Sequence, residues 1–219
     1  MKKKIIATLL AALTVASSIS MTSCGSTDNS GSGDNGGSAD KKYVVGICQL
    51  AVHQALDAAT AGFKEALTEK LGDKVEFKEQ NAAGDANTCN TICTQLVSDK
   101  VDLILANATG ALQAASAATS EIPIIGTSVT DYATALAISD WTGKTGKNIT
   151  GTSDLAPLDE QANAVAELFP ASENKNLGIL YCSGEPNSLY QVNTITPMFE
   201  KLGYTVTPFS FSDSNDVAA

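Results

Sequence analysis

Four short stretches hold the side chains best suited to chemistry: Cys48–His53, Asn107–Thr109, Thr127–Tyr132 and Ser183–Ser188. They are rich in neutral hydroxyls and amides, a lining that suits a small polar molecule held by many hydrogen bonds. Ser, Thr and Asn also cap helices with no ligand present, so capping stands as the alternative for each. Other chemistries find less support. His53 is the only histidine; it would need Asp57 or a distant carboxylate, and no Gly-x-Ser-x-Gly elbow supplies a nucleophile. Gly143-Lys144-Thr145 has the ending of a phosphate loop, but Ile138 stands where the first glycine belongs and no strong strand precedes it. No cofactor is expected. Cys89 and Cys93 lie four apart on one helical face; without a second pair at finger spacing, small apolar packing is preferred to metal ligation. A disulfide between those two would strain a helix. Cys48 and Cys182 each stand at a strand end, and their pairing is not legible. Every positive side chain is Lys and none is Arg, so no bidentate fork grips a carboxylate or phosphate.

The elements that must position these stretches alternate from Tyr43 onward. Tyr43–Cys48 reads as a buried strand, followed by a helix over Val52–Leu71 with an apolar stripe at Leu56, Ala59, Phe63, Ala66, Leu67 and Leu71. A strand at Val75–Gln80, a helix at Asp85–Asp99, a strand at Val101–Ala106, a helix at Ala111–Thr119 and a very short strand at Pro123–Gly126 follow. Periodicity then weakens until an extended segment at Asn148–Ser153, and Trp141 in between is expected to cover an edge. The alternation resumes with a helix at Pro157–Phe169, its Pro near the first turn, a strand at Leu177–Tyr181, a helix at Ser188–Leu202 that Pro197 is able to kink, and a strand at Tyr204–Phe211. Ser214–Ala219 reads as an N-cap and first turn. Strands joined by single helices imply parallel crossovers, so the fold class is α/β with doubly wound sheets. Such sheets bind ligands outside the carboxyl ends of their strands, where the four stretches fall. The 64 residues of Ala156–Ala219 are few for a self-sufficient lobe, and the sequence reads as C-terminally truncated.

The chain has 219 residues, 43% apolar and 17% charged, a globular composition. Its 14 Lys and 24 Asp plus Glu leave a net charge of −10, which argues against nucleic acid as a partner. Lys2, Lys3 and Lys4 precede an apolar run from Ile5 to Ile19, the layout of a secretory signal and shorter than the roughly 20 residues a membrane-spanning helix needs. Met21–Gly25 resembles the bacterial lipobox, which makes Cys24 the lipid-attachment residue. Ser26–Asp40 has no side chain able to pack into a core and reads as a flexible tether. The expected organisation is a signal peptide over 1–23, lipidated Cys and tether over 24–42, a first lobe with the first hinge crossing over 43–154, and a partial second lobe over 155–219.

Val44–Ala218, through Gly126–Tyr132, Asn148–Asp154 and Glu185–Ser188, resembles the ABC-transporter substrate-binding lipoproteins of the tryptophan/tyrosine-type family. The resemblance implies a type I periplasmic binding protein: two doubly wound lobes joined by three hinge strands, closing over a ligand and delivering it to a permease. It implies that Gln49, Asn107, Thr109, Ser128, Thr130 and Asp131 line the first wall, and Ser183, Glu185, Asn187 and Ser188 the opposing one. Asp131 would accept from a ligand ammonium and the N–H groups and hydroxyls of Asn187-Ser188 would receive a carboxylate. Tyr132 or Tyr190 could face an aromatic ring, with core or rim packing as the alternative for each. The function so implied is non-enzymatic capture of an amino acid, aromatic favoured, by an exported monomer anchored by lipid to the outer face of the cytoplasmic membrane, with an ABC permease and ATPase as partners. A sugar or nucleoside receptor of the same fold, and a secreted α/β hydrolase, are the competing readings.

Overall fold

A computed structural model describes residues 41–212. The signal segment, Cys24, nearly all of the tether and the helix start at Ser214 lie outside the described residues. The first sheet contains β1 (Tyr43–Gln49), β2 (Val75–Asn81), β3 (Leu103–Asn107), β4 (Ile124–Val129) and β5 (Ile149–Ser153), all parallel, in the order β2-β1-β3-β4-β5. Between them run α1 (Gln54–Leu71), α2 (Ala86–Ser98), α3 (Thr109–Ala118) and the single turn α4 (Tyr132–Ala135). The chain leaves β1 towards β2 on one side and returns to β3 on the other. The order therefore reverses between β1 and β3, which opens a crevice at their carboxyl ends.

Both faces of this sheet are covered, as a parallel sheet requires. One face buries Cys48, Ile104 and Ala106 against Cys89, Ile92, Cys93 and Leu96 of α2 and Ala111, Leu112 and Ala115 of α3. On the other face Val45, Ile47 and Leu105 meet Phe63 and Leu67 of α1. Helix starts follow local chemistry. Asp85 accepts from the Thr88 N–H at 2.6 Å at the head of α2, His53 accepts from the Ala55 N–H through Nδ1 at 3.2 Å at the head of α1, and Asp131 accepts from the Thr134 N–H at 2.7 Å at the head of α4. Each cap satisfies one donor that the first turn leaves open.

The second lobe holds, among the described residues, α5 (Leu158–Leu168), β6 (Asn176–Cys182), α6 (Pro186–Lys201) and β7 (Thr205–Phe211), with β6 and β7 parallel. Its core gathers Ala162, Phe199 and Tyr204, the last two edge to face at 5.7 Å, and the Tyr204 hydroxyl donates to the Phe169 carbonyl. Leu180 and Phe209, on neighbouring strands, are 61% and 56% exposed. The two-stranded sheet is thus packed on one face only. No helix among the described residues is long and apolar enough to cross a membrane.

Several boundaries differ from those read in the sequence. The first helix begins at Gln54 rather than Val52, with His53 as its cap. β3 starts at Leu103 and ends on Asn107, and α3 starts at Thr109 rather than Ala111, so these side chains sit on regular elements and not in a loop. β4 is not confined to Pro123–Gly126 but runs from Ile124 to Val129, with its register against β5 shifting between Gly126 and Val129, so Thr127 and Ser128 lie within a strand and not in a loop. The turn α4 is too short to show a helical period. α6 begins at Pro186, not Ser188, with Pro197 inside a helix that continues to Lys201.

Candidate functional site

Gln49 and Asn107 are register partners at the carboxyl ends of β1 and β3, on the two sides of the crevice. Both are buried, with a third polar residue, Thr60 of α1. Gln49 Nε2 donates to Asp57 Oδ1 at 2.6 Å and to the Ala51 carbonyl at 2.8 Å. Those oxygens act as acceptors, so the amide is oriented with Oε1 towards Thr60, whose hydroxyl donates to it at 2.7 Å. Asn107 Nδ2 in turn donates to Thr60 Oγ1 at 2.9 Å and to the Leu56 carbonyl at 2.8 Å. A longer contact of 3.4 Å reaches Gln49 Oε1. The chain of donors and acceptors therefore has one sense, running from Asp57 through Gln49 and Thr60 to Asn107. It leaves Asn107 Oδ1 with no partner although the residue is 0% exposed. An unpaired buried acceptor costs about 1–3 kcal/mol, so an oxygen left in that state points to a role.

Backbone strain gathers at the same edge. Of the five non-glycine residues with positive φ among the described residues, Ala83 follows β2, Ala108 follows β3 and Ser128 lies in the irregular end of β4. Ala108, at φ 88° and ψ 161°, occupies a region that is essentially glycine's own. It is also the N-cap of α3 and offers no side-chain oxygen to the helix. The first intrahelical bond is donated by Leu112 to the Ala108 carbonyl at 3.0 Å, which leaves the N–H groups of Thr109, Gly110 and Ala111 without an intrahelical acceptor. An uncapped helix start at the carboxyl edge of a parallel sheet is a ready anion site. Ala108→Gly is expected to stabilise the protein by about 1 kcal/mol, because relief of about 1–3 kcal/mol of strain exceeds the added entropy cost of glycine. Urea denaturation reads the difference.

The remaining first-wall residues lie around this point. Thr109 and Thr130 are buried and Ser128 and Asp131 half-buried. Asp131 uses Oδ1 to cap α4, and the Thr130 carbonyl accepts from the Ser153 hydroxyl at 2.7 Å. Ser183 donates its hydroxyl to the Phe211 carbonyl at 3.1 Å. The Ser188 hydroxyl accepts from the Cys182 N–H at 3.0 Å, and the Ser188 N–H donates to the Glu185 carbonyl at 3.1 Å. Glu185 is the N-cap of α6, and its carboxylate accepts from Asn187 Nδ2 at 3.3 Å. The single turn α4 of the first lobe contacts α6 of the second. Thr60 was not among the residues read from the sequence, and Asp57 was considered there only as a partner for His53. Thr60 does lie in step with the apolar stripe, four residues after Leu56 and three before Phe63, and a polar residue at that spacing is the signal that marks it.

Tyr132 is buried, and its hydroxyl donates to the Thr152 carbonyl at 3.3 Å, so packing rather than exposure to a ligand describes it. Burial, with the Asp154 carboxylate nearby, pushes its phenol up to about 12 from an ordinary 10.0. The folded form holds this proton where the unfolded chain has lost it, so stability is full below pH 10 and declines as pH rises towards 12. Tyr132→Phe is expected to flatten that decline in urea titrations between pH 9 and 11. Trp141 lines a groove of about 530 Å³ along the outer edge of β5, with Lys144 and Lys147, away from the β1–β3 crevice.

Comparison with known proteins places these features. A family model described as ABC transporter substrate binding protein matches residues 44–219. The tyrosine-binding protein of Clostridioides difficile (strain R20291) is 36% identical over 218 residues, which are 98% of this chain and 62% of that protein. A crystal structure of an ABC domain in complex with L-Trp from Streptococcus pneumonia superposes with a TM-score of 0.75 at 34% identity, covering 81% of this chain and 60% of that one. The ligand-free, open structure of a substrate binding protein with adhesive properties from Clostridium difficile gives a TM-score of 0.59 at 35% identity, over 80% and 59% of the two chains. The chain thus spans less than two thirds of the length of the relatives it matches.

Proposed function

The chain belongs to the ABC transporter substrate binding protein family, and from that premise we propose that it captures an amino acid outside the cytoplasm, an aromatic one by preference, and passes it to an ABC permease and ATPase. Its fold is that of type I periplasmic binding proteins, and its function is accordingly one of binding. The observation that carries the reading is the Gln49–Asn107 register pair at the switch point, with an orphaned acceptor beside an uncapped helix start. An amino acid brings one cation and one anion. In the proposed pose its carboxylate sits at the N-terminus of α3, where Thr109, Gly110 and Ala111 present N–H groups, as a chain without Arg requires. The start of α6 suits it less well, because its N-cap residue, Glu185, is itself an anion, with its carboxylate on Asn187 Nδ2. The ammonium is taken by Asp131 and, from the opposing wall, by Glu185.

Two half-sites that meet only on closure couple binding to a change of shape. Two relatives of nearly equal identity bear on this: the L-Trp complex fits this chain better than the open, ligand-free protein does. Lipidation at Cys24 and the tether over 24–42 would hold a monomeric receptor at the outer face of the cytoplasmic membrane, the diacyl anchor supplying enough chains to stay there. Thermal denaturation in the presence of each of the twenty amino acids tests the proposal. The expected result is a melting temperature raised most by L-tyrosine, L-tryptophan or L-phenylalanine. A rise with none of the twenty would remove amino acids as the ligand class.

A further inference from the structure

Leu50, the first residue past β1, is an apolar side chain at the edge of the crevice, and its backbone is tied on both sides. Its N–H donates to the Asn107 carbonyl at 3.1 Å, and its carbonyl accepts from the Gly84 N–H at 2.8 Å. The residue before it is held as well, since the Gln49 carbonyl accepts from the Ala82 N–H at 2.9 Å. Leu50 therefore has little freedom to swing, and the loop after β2 and the end of β3 fix where its side chain lies. That side chain is half-buried, packed against the core under α2 and α3 with part of its surface open. Gly110, in the first turn of α3, shows what it covers. A Cβ there would lie 3.3 Å from Leu50 Cδ1 and 3.8 Å from Cδ2. Helical Cβ atoms lean towards the N-terminus, so the isobutyl group of Leu50 sits beside the same helix start whose N–H groups are open. Gly110 is not among the glycines with positive φ; its missing side chain makes room for Leu50 and does nothing for the backbone.

We propose that Leu50 is the specificity-determining residue of the site: with the carboxylate on the open N–H groups of α3, the aromatic ring of the ligand lies on the isobutyl group of Leu50. This rests on the pose given above and supplies the part of the ligand that the pose leaves without a contact. All α-amino acids bring the same carboxylate and ammonium, so selection among them is a difference in contacts to the side chain. The other residues assigned to the first wall are amides, hydroxyls and a carboxylate, whereas a ring gains from apolar surface. A single carbon separates the carboxylate from the side chain, so a ligand anchored at the start of α3 brings its side chain up to whatever flanks that start. Tyr132 is packed on the Thr152 carbonyl, and Trp141 lines the groove at the outer edge of β5; neither meets a ligand held at α3. Val52, two residues beyond Leu50 and 79% exposed, is the rival contact on the same loop. Unlike Leu50, it does not pack against the core cluster beside α3.

Isotope-filtered NMR of the whole chain tests this, with labelled leucine and valine methyl groups and unlabelled L-tryptophan. The expected result is cross-relaxation between the indole ring protons and the Leu50 methyl groups, together with saturable shifts of the α3 amides. Leu50→Ala is expected to weaken L-tryptophan about tenfold, because three carbons of apolar contact are removed. Glycine has no side chain to lose, so its shifts of the same amides should follow an unchanged binding curve; a variant that merely loosened the fold would weaken both ligands. The unsubstituted chain decides independently through its ring-to-methyl contacts, whatever the folding of the variant. The proposal alone is overturned if L-tryptophan shifts the α3 amides while its ring protons reach Val52, or no methyl group of Leu50, or if Leu50→Ala weakens L-tryptophan and glycine alike. If L-tryptophan leaves the α3 amides of the unsubstituted chain unmoved, the pose itself fails and the assignment of Leu50 falls with it.

Discussion

Asn107→Asp is expected to destabilise the first lobe by about 3–5 kcal/mol at neutral pH, although the two side chains have nearly the same shape. Nδ2 is the atom that matters, because it faces only acceptors: Thr60 Oγ1, the Leu56 carbonyl and Gln49 Oε1. An oxygen in its place turns each contact into a repulsion, and ionisation would put an unpaired charge at a site that is 0% exposed. The new carboxyl would therefore keep its proton in the folded state to a higher pH than in the unfolded chain, where it ionises near 3.9. The sign follows: the deficit is smallest below pH 3.9 and grows as pH rises above it. Thr60→Val is the control. It should cost about 1–3 kcal/mol through the lost hydroxyl without adding a pH dependence. Urea titrations from pH 3 to pH 8 separate the two; a deficit for Asn107→Asp that is small and flat across that range would show that the donors and acceptors are not oriented as described.

Gly151→Ala carries the second large effect, about 3 kcal/mol, at the upper end of the usual cost of overpacking. Gly151 pairs with Gly126 across β4 and β5. A Cβ there would fall inside contact distance of the Gly126 carbonyl oxygen and the Tyr132 hydroxyl. The oxygen belongs to a ladder flanked on both sides, and the phenol is buried, so neither gives way cheaply. Gly62→Ala in α1 makes the contrast, since nothing lies within 4 Å of its Cβ position, and it is expected to stabilise the helix by about 1 kcal/mol. Midpoints of chemical denaturation for both variants read opposite signs if the packing is as described.

The alternation of β-branched runs with single amphipathic helices was enough to reach parallel crossovers, because periods of 2 and 3.6 leave distinct marks and the crossover rule removes most topologies. Gln49 and Asn107 were visible as amides near strand ends, but not as register partners across a chain reversal. That relation depends on strand order, which no local pattern contains. Thr60 shows the limit more plainly. It lies in the stripe that packs α1 on the sheet, yet a stripe counted by apolar residues passes over it. Its value arises only when Asn107, 47 positions away in sequence, is brought alongside. Cys48 met Cys89 and Cys93 in the same way, through strand and helix packing rather than spacing. The strain at Ala108 leaves no trace in composition, since alanine is an unexpected occupant of a φ of 88°.

In the proposed function the decisive contact is an amino-acid carboxylate at the start of α3. Amide-resolved NMR titration of the chain with L-tryptophan and L-tyrosine reports on that contact directly and detects weak as well as tight binding. Thr109, Gly110 and Ala111 are expected to shift first and saturably, followed by residues around Asn107 and Asp131, while the corresponding amine lacking the carboxylate leaves the α3 amides unmoved. Saturating shifts confined to other parts of the lobe, or equal shifts with the decarboxylated amine, would contradict it.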